Sequence, residues 1–267
     1  MSRDLFSVEG KIVVITGACG QLGRQFTRTL IERGARVAAF DLNPSQCSPA
    51  DESGDKLMTV GVDITRRDSI QAGLAEVKSK WGTPDALINN AALDSPPNAS
   101  AEENGPFETY PESSWDKVME VNAKGVFLSC QVIGSQLAEA GRGSIVNICS
   151  IYGVVSPDQR LYEYRRTPGQ AFFKPVAYSA SKSSLLNLTR YLATYWAEKN
   201  VRVNTLTFGG VFNNQDEQFL ANYAARVPMM RMAREDEYNG AIVFLLSDAS
   251  SYMTGANLTI DGGWTAW

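Results

Sequence analysis

The chain has 267 residues, a formal net charge of −4, 44% hydrophobic and 20% charged residues. That balance excludes a chain disordered throughout, and with no Lys/Arg block the electrostatic footprint of a nucleic-acid binder is missing. There is no histidine, which excludes Ser-His-Asp hydrolysis and HExxH zinc chemistry and leaves Tyr, Lys, Asp, Glu or Cys as any general acid or base.

Strand and helix signals then alternate along the chain. Residues 11–16 form a short β-branched apolar run that suits a strand buried on both faces. A Gly-rich turn follows. A helix is predicted over 21–33, with Leu22, Phe26, Leu30 and Ile31 at helical spacing and Gly34 as its stop. Residues 36–41 and 57–62 read as strands. Thr65-Arg-Arg-Asp68 resembles a capping box opening a helix to about Lys80. Residues 86–89 read as a strand and 93–110 as a loop containing Pro96, Pro97 and Pro106. Ser113-x-x-Asp116 looks like a second capping box, before a long helix to about Glu139. Strand 143–149, helix 176–199, strand 201–206, helix 233–246 and strand 257–260 complete the pattern. About seven such alternations predict an α/β fold with a doubly wound parallel sheet, helices on both faces, and one domain over 1–267.

No signal peptide or membrane span is visible, so a soluble, cytoplasmic protein is expected. Cys19, Cys47, Cys130 and Cys149 are scattered without a C-x-x-C pair, and all four are expected as reduced, structural thiols. No metal site is expected.

Two motifs carry chemistry. Thr16-Gly17-Ala18-Cys19-Gly20-Gln21-Leu22-Gly23 lies between a strand and a helix, the setting in which a Gly-rich turn brings backbone N–H groups and a helix N-terminus to a pyrophosphate. Asp41 closes the next strand, where a carboxylate suits the adenosine ribose hydroxyls of NAD and repels a 2′-phosphate. The second motif is Tyr178-Ser-Ala-Ser-Lys182. Tyr and Lys four apart share a helix face, and the ammonium is expected to pull the phenol below its usual value of about 10.

From about Gly10 to Gly263 the chain resembles the short-chain dehydrogenase/reductase family. Asn89-Asn90-Ala91-Ala92 is similar to its N-N-A-G signature. Asp63, Asn122 in Val121-Asn-Ala-Lys-Gly125, Ser150 in Ile145-Val-Asn-Ile-Cys-Ser150, 202–206 and 255–263 match further positions. The resemblance implies a catalytic set of Asn122, Ser150, Tyr178 and Lys182. Ser150 hydrogen-bonds the reacting oxygen, Tyr178 takes the hydroxyl proton as hydride leaves for the nicotinamide, Lys182 holds the nicotinamide ribose, and Asn122 links Lys182 to solvent through water. It implies Leu42 beside Asp41 at the ribose and Asp63 with Ile64 at the adenine. Asn90, Ala91, Ala92, Gly209, Val211 and Asn213, with Tyr178 and Lys182, complete the cofactor contacts. It also implies a homo-oligomer, tetramer or dimer, with Trp264 and Trp267 at a subunit contact.

Departures from the family pattern locate what is particular to this chain. Gly20 stands one place earlier than the commonest spacing. Phe208 replaces a Pro, and Asn213 replaces a Thr that contacts the carboxamide. Ser150 and Tyr178 lie farther apart than is usual, and the extra segment, about 157–173, carries Arg160, Tyr162, Arg165, Arg166 and Gln170. Arg forks read carboxylate or phosphate, while Tyr and Gln suit sugar hydroxyls. Insertions of this kind are similar to those of family members in bacterial sugar pathways. Expected substrate contacts are therefore Ser150, Tyr152, Arg160, Arg165, Arg166, Tyr178 and Gly210. A subunit-contact role for 157–173 stays open. Met229, Met230 and Met232 are expected as core packing. The reading is hydride transfer between NAD and a secondary alcohol of a polar, sugar-like, anionic or neutral substrate. A 3-oxoacyl or other carbonyl reductase and a non-catalytic NAD-binding regulator are the alternatives.

Overall fold

The computed structural model describes residues 4–47, 54–94 and 102–267. Seven strands form one sheet: β1 (Ile12–Thr16), β2 (Arg36–Asp41), β3 (Leu57–Gly61), β4 (Ala86–Asn89), β5 (Gly143–Ser150), β6 (Val201–Phe208) and β7 (Asn257–Ile260). All pairs are parallel, in the order β3-β2-β1-β4-β5-β6-β7. The chain steps outward from β1 to β3, then crosses back to β4 and proceeds the other way. A crevice therefore opens at the carboxyl ends of β1 and β4, where the winding reverses. Helices cover both faces, which is why all five residues of β1 are buried and why that strand reads as an unbroken apolar run.

One face packs against α1 (Gln21–Glu32) and α6 (Asn239–Leu246) through Phe26, Leu30, Ile242 and Leu245. The other packs against α2 (Arg67–Trp81), α3 and α4 (Val176–Tyr195) through Ile70, Leu74, Leu137 and Leu185. Helix α3 runs through Glu112–Met119, Glu120–Gly125, Val126–Ser129, Cys130–Gly134 and Ser135–Glu139. Its second and fourth segments are π-turns, which widen the helix locally and are common beside functional sites. A short helix, α5 (Glu217–Ala224), was not expected, although Asp216 caps it by accepting from Phe219 N at 2.9 Å.

Several boundaries differ from expectation for local reasons. Neither capping box forms. Thr65 donates its hydroxyl backward to Asp63 at 2.7 Å, and α2 starts after Arg66 without a side-chain cap. Ser113 lies inside a helix that begins after Pro111. The last helix starts at Asn239 rather than 233, because Arg231 and Arg234 pair with Glu237 in a polar turn ahead of it. Gly34 does stop α1: at φ +86° its N–H reaches Ile31 O, and Ala35 N–H reaches Leu30 O, both at 2.9 Å. Pro96 and Pro97 lie outside the described residues.

A chain of buried amides and hydroxyls fastens α4 to the sheet. Asn89 Nδ2 donates to Asn147 Oδ1, Asn147 Nδ2 to Thr189 Oγ1, and Thr205 Oγ1 to Thr189 Oγ1, each at 2.8 Å. None of the four residues is more than 2% exposed, so each of these bonds replaces water and fixes where α4 lies.

Two expectations about side chains fail. Trp264 is buried inside the chain, stacked on Tyr223 at 4.8 Å, so that half of the subunit-contact expectation fails, while Trp267 is exposed. Met229 and Met230 are exposed rather than packed in the core; only Met232 is drawn in. Among the described residues no helix is long and apolar enough to cross a membrane.

The expectation of four free thiols holds for Cys130 and Cys149, both buried, and fails for the other two. Cys19 in the Gly-rich turn and Cys47 after β2 form a disulfide, their Cα atoms 4.5 Å apart. The sheet brings them together, because β2 lies beside β1 and both chain segments leave at the same edge. A bond closing a 28-residue separation removes loop-closure entropy from the unfolded chain. Cys47→Ser should therefore lower the unfolding free energy by ~3 kcal/mol in oxidising buffer, measured by chemical denaturation. The difference should vanish when both proteins are reduced.

Candidate active site

The crevice at the strand ends is a cavity of about 860 Å³, within the size range of small-molecule sites. The Gly-rich turn, Asp41 and Asp63 line one end; Ser150, Tyr178 and Lys182 line the other.

At the first end, Gly17 takes φ +62°, and a Cβ there would meet Ala91 Cα at 2.7 Å. Only glycine lets β1 turn this close to the strand beside it. Gly23 packs as tightly within α1, where a Cβ would come 2.3 Å from Gly17 O. Gly20 is different: a Cβ would meet only Gly17 O, at 3.4 Å. Its N–H donates to Gly17 O at 3.2 Å, and it lines the cavity at the N-terminus of α1, the end of a helix that favours a pyrophosphate. Gln21, where the commonest spacing has glycine, donates through Nε2 to Phe212 O at 2.8 Å and so ties the turn to the chain beyond β6. Asp41 is held by two backbone donors, Cys19 N and Asn43 N, both at 3.0 Å. Its carboxylate stays at the cavity wall with lone pairs for ribose hydroxyls. Asp63 is fixed by Thr65, whose N–H and hydroxyl reach Oδ1 at 2.9 and 2.7 Å. These carboxylate acceptors and the glycine turn at the start of α1 fit a dinucleotide.

Asn90, Ala91 and Ala92 line the middle of the cavity. Asn90 Nδ2 donates to Thr16 O at 3.2 Å and to Gly17 O at 2.9 Å. Leu22, Leu42, Ile64, Gly209, Gly210, Val211 and Asn213 are also lining residues. Phe208, standing for the family's Pro, is buried against Tyr238 at 4.1 Å between ring centroids and so supports the Gly209–Gly210 turn from below. Cys19, expected at the cofactor, lies instead on the outer side of the turn, bonded to Cys47.

At the second end, Ser150 closes β5, its hydroxyl accepts from Tyr152 N at 3.2 Å, and it lines the cavity together with Tyr178. Lys182, 4% exposed, places Nζ 6.0 Å from the Tyr178 ring centroid and donates to Ile148 O at 2.9 Å. The trio is assembled by close packing. A Cβ on Gly153, just after Ser150, would strike Cys149 Sγ at 2.6 Å and the Lys182 carbonyl carbon at 2.8 Å. Asn122, fully buried in the first π-turn of α3, donates to Leu93 O at 2.9 Å and to Ser181 Oγ at 3.1 Å, and accepts from Leu93 N at 2.7 Å. Its direct partners are thus Leu93 and Ser181.

The expected lowering of the Tyr178 pKa does not hold. Burial pushes the phenol up, the Asp94 charge adds to it, and the neighbouring Ser150 hydroxyl works the other way. Burial also pulls the Lys182 ammonium down. Both groups lose water, and that loss is the largest cause in each case.

Over this end lie Tyr152, Tyr162, Tyr223, Phe219 and Met232. Tyr162, from the 3-10 turn Gln159–Arg165, packs on Phe172 and Phe219 at 5.8 and 5.7 Å. Arg160, Arg165 and Arg166 do not line the cavity. Arg160 pairs with Asp158 at 2.9 Å. Arg165 pairs with Asp216 at 2.8 Å and lies over Phe172, and Arg166 lies over Phe173. These arginines staple the segment to itself and to α5. Among the described residues, the cation that lines the cavity besides Lys182 is Lys174, one residue beyond the segment expected to bind substrate, together with Asp94. Lys174 stands four residues before Tyr178, as Lys182 stands four after; that spacing was the available signal.

Asp158 anchors the segment, accepting from Arg160 and, at 2.6 Å, from Arg226. The Arg160 hydrogen bonds, with help from Arg226, hold its carboxyl well below the usual carboxylate range. Its stabilisation is therefore complete above the unfolded value near 4 and is lost as pH falls below it. Thermal melts of Asp158→Asn and wild type between pH 7 and pH 2 should show the wild type ahead at neutral pH and the gap closing in acid.

Comparison with known proteins places this arrangement. Residues 17–265 match the family model described as enoyl-(acyl carrier protein) reductase. The chain is 32% identical over 266 residues to an NAD-dependent glycerol dehydrogenase of Listeria innocua, covering 97% of this chain and 96% of that one. It is 31% identical to a gluconate 5-dehydrogenase of Gluconobacter oxydans, covering 98% and 97%. A short-chain dehydrogenase of Leptospira borgpetersenii, crystallised with bound NAD+, superposes with a TM-score of 0.86 at 32% identity, covering 99% and 97%.

Proposed function

Because the chain belongs to the short-chain dehydrogenase/reductase family, whose members act on CH–OH groups with a nicotinamide cofactor, we propose that it oxidises a secondary alcohol of a polyhydroxylated substrate with NAD, or reduces the matching ketone. One observation carries the reading. A single cavity has the carboxylate Asp41, placed to read a ribose, at one end and Ser150, Tyr178 and Lys182 together at the other.

NAD, when bound, supplies the hydride acceptor. The chain's own residues manage the proton. Ser150 donates to the reacting oxygen and aligns it on the phenol. Tyr178 takes the hydroxyl proton during oxidation and returns it during reduction. Lys182, dry and fixed by Ile148 O, offers an ammonium to the nicotinamide ribose and to the developing phenolate. That support matters because burial alone disfavours the phenolate. Asn122 acts as a positioning residue: it joins Leu93 to Ser181, whose hydroxyl in turn donates to Tyr178 O at 2.8 Å. NAD is favoured over NADP because Asp41 meets the place where a 2′-phosphate would sit.

A polyhydroxylated substrate is favoured over a 3-oxoacyl chain because tyrosine hydroxyls and the Lys174–Asp94 pair share the wall with the apolar side chains. A non-catalytic regulator has no need of Ser150, Tyr178 and Lys182 in one place. Self-association is supported by Tyr191 and Tyr195, stacked at 5.9 Å and about two thirds exposed on α4.

Tyr178→Phe should lower kcat by ~10³ while leaving NAD affinity, followed by fluorescence titration, near wild type. Retained turnover would end the assignment of Tyr178 as the proton carrier. Asp41→Ala should raise KM for NAD about tenfold, the loss of a charge-assisted hydrogen bond, and narrow the preference over NADP in the same assay.

A further inference from the structure

The family's dehydrogenases in hand divide on charge: the Listeria relative is named for a neutral polyol and the Gluconobacter relative for a sugar acid. The arginines that suited an acid lie outside the cavity. Among the described residues lining it, the cations are Lys182 and Lys174. Lys182 donates to Ile148 O and, in the reading above, serves the nicotinamide ribose and Tyr178, so the further charge available to the substrate is that of Lys174 and what faces it.

Lys174 is held rigidly. Its N–H donates to Gln159 Oε1 at 2.9 Å, and its carbonyl accepts from Gln159 Nε2 at 3.4 Å. Pro175 follows at the start of α4. The side chain is 11% exposed, with Nζ 4.7 Å from the Tyr178 ring centroid. The ammonium donates to Asp94 Oδ1, and the Asp94 side chain, 63% exposed, also lines the cavity. A fixed donor and an acceptor thus stand side by side next to the proton-transfer group.

A hydroxyl donates and accepts at once, so it satisfies both members of such a pair. A carboxylate only accepts, and it would meet Asp94 as a like charge. We propose that Lys174 and Asp94 are specificity-determining residues that grip a hydroxyl neighbouring the reacting carbon, so that the enzyme selects an uncharged polyol over the sugar acid of the same length. This rests on the dehydrogenase reading above. The gripping pair also sets a polarity. Lys174 donates to the substrate oxygen, the substrate hydroxyl donates to Asp94, and the neighbouring carbinol is left facing Tyr178.

The test is NADH formation by the full chain from threitol, xylitol and sorbitol against threonate, xylonate and gluconate. Wild type should show kcat/KM at least tenfold higher on its best polyol than on the matching acid. Asp94→Asn should erase that ratio, through a higher KM on the polyol and a lower one on the acid. Lys174→Met should raise KM on the polyol without improving the acid, and Lys174→Arg should restore part of the loss. Melting temperature and NAD affinity, measured alongside, separate misfolding from altered selection. No turnover of either class by a folded, NAD-binding wild type sinks the dehydrogenase reading and this inference with it. Turnover that favours the acid, or a ratio unmoved by Asp94→Asn in a folded protein, overturns the inference alone.

Discussion

The carboxyl ends of β1 and β4 are pegged to one another by Thr16 and Asn90. The Thr16 hydroxyl, on a residue 1% exposed, accepts from Asn90 N and Ala91 N, both at 3.1 Å. Asn90 answers through its side-chain amide, which donates to the carbonyls of Thr16 and Gly17. These four bonds run between strands that are neighbours in space and more than seventy residues apart in sequence. They set how far apart the two ends stand, and so whether Gly17 can lie on Ala91. Every other placement follows from that spacing. Asp41 is measured from β1 through β2, and Ser150 from β4 through β5.

The second support is the buried amide and hydroxyl chain from Asn89 to Thr205. Polar groups this deep are costly unless each finds a partner, and that cost is what makes the arrangement specific: a helix shifted by one turn would leave several of them unpaired. Tyr178 and Lys182 therefore sit on a rail whose position is decided two turns farther along, at Thr189. The catalytic end of α4 also borrows rigidity from α3, whose π-turn turns Asn122 toward Leu93 and Ser181.

Much of this was readable from the amino-acid order. Continuous apolar strands, the spacing of Phe26 and Leu30, and Gly34 follow local rules, and they gave the alternation and hence the parallel sheet. The Gly-rich turn, Asp41, Ser150, Tyr178 and Lys182 were readable because each sits at the end of an element whose position the alternation fixes. Most of what escaped depends on packing that residue order does not display. The arginines of 157–173 looked like substrate ligands although Asp158 stands two places from Arg160 and Phe173 seven from Arg166; only Arg165 is claimed from afar, by Asp216. Lys174 escaped because its role comes from Asp94, eighty residues away. The Tyr178 pKa was misjudged because burial is a property of the assembled wall rather than of the Tyr-x-x-x-Lys spacing. The capping boxes failed because Thr65 had a nearer acceptor in Asp63.

The Cys19–Cys47 bond was illegible for the same reason: only the β1–β2 pairing makes those two positions adjacent. Its location has a practical meaning. The same residue that supplies a sulfur to the bridge supplies the backbone N–H that orients Asp41, so the covalent state of the turn and the seat of the ribose are one piece of chain. A cofactor titration run with a thiol reductant in the buffer and one run without it compare two chemically distinct macromolecules, and their dissociation constants belong to separate columns.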